Sequence, residues 1–213
     1  LTERITTLKT KLCQIIFISI SALILTGCAA AGAISAVGGL ANTAMQAMGM
    51  KKDAVPDSMK APRTVSIKLH AADALNVDQQ GRPLALVVKI YKLRQNAAFQ
   101  QASYDTFLST QKEKELLGAD LLEVKEVTLI PGQRYEISEK VSYEAAFIGV
   151  VAQFRNPAPS RWRVAFPADE SEKKGITVGL FACSVTVGAG VSAIDIQGKS
   201  QVKNEMVAPV RCP

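Results

Sequence analysis

In Val65-Ser66-Ile67-Lys68-Leu69-His70 apolar and polar residues alternate without a break. A period of two commits such a segment to a half-buried β-strand. Val65, Ile67 and Leu69 share the inward face, while His70, the only histidine in the chain, joins Ser66 and Lys68 on the outward one. Leu84 to Leu93 (LALVVKIYKL) is apolar on both faces apart from two lysines, which suits a central strand. Further strand-like runs lie at 122–130, 133–138, 145–154, 161–166 and 176–187, with Pro131-Gly132 punctuating the first pair as a tight turn would. Short strands at this spacing predict a mainly β chain, a two-sheet β-sandwich rather than a parallel α/β sheet.

One stretch breaks the pattern. Residues 96–118 carry Phe99, Ala102, Tyr104, Phe107 and Leu108, a spacing that places an apolar stripe on one or two short inserted helices. Packing of that stripe on the sandwich is the simplest reading; a partner-binding helix is the alternative.

The N-terminal end is not read as part of this fold. Arg4, Lys9 and Lys11 precede an apolar run over 12–25, too short for the ~20 residues that span a bilayer. The run closes on Leu25-Thr26-Gly27-Cys28, which reads as a bacterial lipobox; a signal anchor or an ordinary secretory signal with a chance cysteine is the alternative. The expectation is a signal peptide over 1–27, cleavage before Cys28 and a covalent lipid on its thiol. Ala29 rather than Asp follows, which in the sorting rule of enteric-type Gram-negative bacteria directs export to the outer membrane, on its periplasmic face. Residues 28–62 then read as lipidated cysteine and tether: 29–50 are uncharged and rich in Ala, Gly and Met, and Pro56 and Pro62 stiffen the approach. The folded domain is expected over 63–213.

Export settles the cysteine and charge arguments. Cys13 leaves with the leader and Cys28 is consumed by lipid, so Cys183 and Cys212 remain as an even pair in an oxidising compartment. A disulfide tying the C-terminal tail to a late strand is the simplest reading; two separate buried thiols are the alternative. The chain carries +6, of which the leader's Arg4, Lys9, Lys11 and Glu3 account for +2, leaving +4. Without a clustered basic patch, that surplus gives no reason to expect nucleic acid as a partner.

No enzyme constellation emerges. One histidine leaves little room for a Ser/His/Asp or Cys/His arrangement, and no His-rich metal site is possible. Gly188-Ala189-Gly190 lacks the spacing of a phosphate-binding loop. The paired acids Asp169-Glu170 and Glu113/Glu115 sit among Ser and Lys and read as exposed loop rather than as an acid–base pair. No catalytic residue, metal or cofactor is therefore assigned beyond the lipid on Cys28.

Asp73 to Pro83 (DALNVDQQGRP) offers more. It joins two well-marked strands and exceeds a minimal hairpin turn. Asn76, Asp78 and Gly81 are turn formers, and Gln79, Gln80 and Arg82 supply donors and acceptors. Long ordered loops on rigid scaffolds often bind something.

An ordered set of residues then carries a resemblance. Leu75-Asn76, Asp78 and Gly81-Arg82-Pro83 lead into Leu86 to Leu93; Phe99, Ala102 and Phe107 follow, then Leu117-Gly118-Ala119-Asp120-Leu121-Leu122. Pro131-Gly132, Ile148 to Ala152, Phe154-Arg155 and Arg161-Trp162-Arg163 complete it. Behind a lipobox, this series, from about 64 to 166, resembles the outer-membrane lipoprotein of type VI secretion systems, the TssJ family. The resemblance implies a transthyretin-like sandwich that binds the periplasmic C-terminal region of TssM, an inner-membrane protein, through the loop between the first two strands. Carried onto this chain, the contacts would be Asn76, Asp78, Gln79, Gln80 and Arg82, with Gly81 and Pro83 shaping the loop. Residues 167–213 stand out as a C-terminal elaboration. A generic envelope lipoprotein whose sandwich binds a ligand or acts as an adhesin is the alternative.

Overall fold

The computed structural model describes residues 56–195, 199 and 210–213. The expected signal peptide, Cys28 and most of the tether lie outside those residues. Two four-stranded sheets face one another. In the first the order is β4 (Arg134–Val141), β1 (Arg63–Ala71), β7 (Ile176–Leu180) and β8 (Val185–Val187). In the second it is β3 (Leu121–Leu129), β2 (Leu86–Leu93), β5 (Phe147–Ala152) and β6 (Arg163–Pro167). All pairings are antiparallel except β1 with β7. The alternation in β1 does what its period requires: Val65, Ile67 and Leu69 are fully buried between the sheets.

β2 is buried on both faces because a third layer covers the second sheet. That layer is three short helices rather than one or two: α1 (Ala97–Gln101), α2 (Tyr104–Phe107) and α3 (Thr110–Leu117). Phe99 and Phe107 are fully buried and meet Tyr91 of β2 at ring-centroid distances of 5.4 and 5.6 Å. Gly149, paired with Tyr91, makes room for the Phe99 ring: a Cβ there would stand 2.6 Å from Cζ. The apolar stripe thus packs on the sandwich, except that Leu108 is 55% exposed.

Arg163 fastens this layer. Its guanidinium lies 4.4 Å from the Trp162 ring centre and donates to the carbonyls of Phe99, Gln100 and Ala102, which close α1 and have no partner within the helix. Burial lowers the Arg163 pKa to about 10 and pushes the Tyr104 phenol up to about 12.

The two lysines of β2 are the surprise. Lys89 turns into the helical layer, where Glu113 accepts from its Nζ at 2.8 Å and from the Tyr91 hydroxyl at 2.9 Å. Glu113 is 1% exposed, so the expectation that it sits in an exposed loop is corrected: α3 aims it inward. Asp169-Glu170 likewise lie in a helix, α4 (Ala168–Lys174), where acids near the N-terminus and lysines near the C-terminus both suit the helix dipole. Lys92 reaches the gap between β3 and β4, bonding Glu139 at 3.1 Å and Glu123 at 2.8 Å. Burial works to raise the Glu139 pKa, but hydrogen bonds from Lys125 and Lys92 outweigh it and hold the carboxyl low.

The strand-like run expected over 176–187 folds as two antiparallel strands, β7 and β8, joined by a turn. β7 pairs directly with β1, so Ile176–Leu180 form an inner strand of the first sheet. Beyond β8 the chain crosses to the second sheet, where the Ile194 N–H bonds the Ala165 carbonyl of β6 at 2.9 Å.

Candidate functional site

The β1–β2 loop leaves the sandwich beside the β7–β8 turn and is stitched to it. Ala72 N–H donates to Leu180 O, Asn76 N–H to Phe181 O and Val77 N–H to Ala182 O, at 2.8 to 3.1 Å. Leu75 is fully buried and anchors the loop in the core, and a Leu84 N–H to Leu75 O bond closes the neck. With backbone groups satisfied in this way, the loop holds a shape without secondary structure of its own.

Asn76 is the internal brace. Its φ of 44° lies in the left-handed region that asparagine tolerates better than most residues. Its Nδ2 donates to Ala85 O at 2.8 Å, and its Oδ1 accepts from Arg155 N–H at 2.8 Å. At 6% exposure with both amide atoms engaged, Asn76 braces the loop from within.

Asp78 organises the tip. Oδ1 accepts from the N–H groups of Gln80 and Arg82 at 2.9 Å each, and Oδ2 accepts from Arg82 Nε at 2.7 Å. The Asp78 N–H donates back to Arg82 O, and Gly81 takes φ +75° where a side chain would be strained. The backbone N–H of Arg82, above all, holds the Asp78 carboxyl below the ordinary aspartate range; partial desolvation opposes this and loses. What the turn leaves exposed is Gln79, Gln80, Gly81, Arg82, Pro83 and, beside them, Leu84.

The cysteines meet at the same end. Cys183 and Cys212 form a disulfide, with Cα atoms 5.6 Å apart. At a separation of 29 residues it contributes about 3 kcal/mol in the chain-entropy description. It brings Cys212 and Pro213 against the loop, and Asn156 Nδ2 donates to Pro213 O at 2.8 Å. A notch of about 310 Å³ opens between the loop, Arg155-Asn156 and this tail. Sequence reasoning placed neither Arg155 nor the tail here, because only the Asn76 brace and the disulfide make them neighbours. Among the described residues, no cluster of His, Cys, Asp and Glu could hold a metal ion.

Residues 63–183 match the family model of type VI secretion lipoproteins (T6SS-SciN; VasD, EvfM, TssJ). The T6SS lipoprotein TssJ1 from Pseudomonas aeruginosa is 29% identical, with a TM-score of 0.55 over 60% of this chain and 96% of that one. A structure described as a type VI membrane complex contains a chain 28% identical, with a TM-score of 0.55 over 60% of this chain and 98% of that chain. A chain in the structure described as the T6SS protein TssM C-terminal domain (869–1107) from EAEC is 29% identical, with a TM-score of 0.51 over 59% and 98%. Among curated protein sequences, none matches.

Proposed function

Because the chain belongs to the type VI secretion lipoprotein family, we propose that it is a non-enzymatic anchor of the trans-envelope secretion complex. A lipid on Cys28 holds it to the periplasmic face of the outer membrane, and the tip of the 73–83 loop grips the periplasmic C-terminal region of a TssM-type inner-membrane protein. The observation that carries this reading is the division of labour within the loop. Leu75, Asn76 and Asp78 are spent on its shape, which leaves Gln79, Gln80 and Arg82 presented on a prebuilt turn. Rigid presentation lowers the ordering cost that a floppy loop meets on binding. The chemistry is therefore positioning: amide and guanidinium donors, a turn that does not need to fold on contact, and no reacting group.

The test is binding of the full chain, in detergent, to the periplasmic C-terminal region of the cognate TssM-type protein. It runs beside a Gln79→Ala, Gln80→Ala, Arg82→Glu variant. Saturable binding that is lost in a variant with an unchanged circular dichroism spectrum supports the loop as the contact. Equal binding by the variant moves the contact elsewhere. For the anchor, Cys28→Ser is expected to shift the protein from the membrane to the soluble fraction, and its retention in membranes would refute lipid attachment there.

A further inference from the structure

The chain past Cys183 lies beyond the family match, yet its last described residues return to the proposed contact loop. Val77 to Gln79 form one wall of the 310 Å³ notch, Arg155 and Asn156 a second, and Cys212 with Pro213 a third. The walls are coupled. Asn76 bonds both its own loop and the Arg155 N–H, Val77 bonds Ala182 beside the disulfide, and Asn156 bonds Pro213.

The charged side chains that line the notch are Asp78 and Arg155, and they differ in how far they are already engaged. The carboxylate of Asp78 is already engaged by the Gln80 and Arg82 N–H groups and the Arg82 guanidinium. Arg155 is exposed at the mouth and makes no salt bridge among the described residues, while Gln79 and Asn156 flank it with amides. A cation between two amides suits a carboxylate carried on an extended main chain.

We propose that the disulfide-held tail is a second docking element for the same partner, and that the notch receives an extended acidic segment of it. A partner carboxylate pairs with Arg155, and the adjoining main chain bonds Gln79 and Asn156. This rests on the reading of the loop as the contact, with which the notch is continuous.

The test titrates the full chain in detergent against the partner's periplasmic region. It compares wild type, Arg155→Glu, a Cys183→Ser/Cys212→Ser double variant and the loop variant above. Arg155→Glu keeps the disulfide and changes an exposed side chain, so folding does not obscure its result. Both notch variants are expected to weaken binding about tenfold. In the wild type, hydrogen exchange at Arg211 and Cys212 is expected to slow on complex formation. Wild-type affinity in both notch variants, alongside lost binding in the loop variant, overturns the notch and leaves the loop reading standing. No binding by the wild type overturns both.

Discussion

Two connections flank the second strand, a loop that reads as polar in the sequence and an insertion that carries an apolar stripe. The β1–β2 loop holds its shape with hydrogen bonds, among its own atoms at the tip and to the β7–β8 turn and Arg155 at its base, and exposes its tip. The 97–117 insertion holds its shape by burial, with Phe99 and Phe107 against Tyr91 and with Glu113 turned inward onto Lys89. The difference decides what each can do. A loop whose tip is closed by its own polar groups needs no neighbour over that tip and can offer it to a partner. Helices that depend on an apolar face are committed to the sheet beneath them.

The largest effect should come from the insertion. Glu113→Ala leaves Lys89 as a buried charge without its carboxylate and should destabilise the domain by about 3–5 kcal/mol in denaturant unfolding. A loss under 1 kcal/mol would mean that the pair is solvated. Next, Gly149→Ala drives a methyl into the Phe99 ring and should cost about 1–3 kcal/mol, because the ring is packed on both sides. Restoration of stability by a second change, Phe99→Leu, would identify the clash as the cause.

Changes in the loop should act locally. Asn76→Ala strands the Ala85 carbonyl and the Arg155 N–H and should cost about 1–2 kcal/mol. Exchange at Arg155 should quicken while the β1 amides stay protected; equal loss of protection throughout would make Asn76 a global residue. The smallest effect concerns Asp78. Its native pKa is lowered, so its contribution is complete above the ordinary aspartate range and is lost as pH falls through the lowered value. Amide protection at Gln80 and Arg82 should persist on mild acidification and fade only below that ordinary range. Fading at or above it would contradict the Asp78 turn.

Periodicity reached far into this molecule. The inward face of β1, the doubly buried β2, the Pro131-Gly132 turn and most strand positions follow from residue type and spacing, since side chains on a strand must alternate between faces. The turn-forming role of Asp78 and Gly81 was equally legible, because an aspartate bonding its own backbone is a local event. The cysteine pair was legible from compartment and arithmetic, with the partnership itself left open.

Long-range proximity was not legible. Glu113 reads as solvent-facing until the helix that carries it is laid over Lys89, because nothing local records which face the sheet will cover. β7 reads as part of an added tail until its pairing with β1 is seen, since a sheet joins strands far apart in sequence. Asn76 reads as a turn former, and only the fold places Arg155 and Ala85 against its side chain. The sequence alone therefore determined the strands, the turn at the loop tip and the resemblance to a secretion lipoprotein. The tertiary structure alone decided which polar groups face inward and which distant segments border the loop, because burial and pairing depend on the whole chain at once.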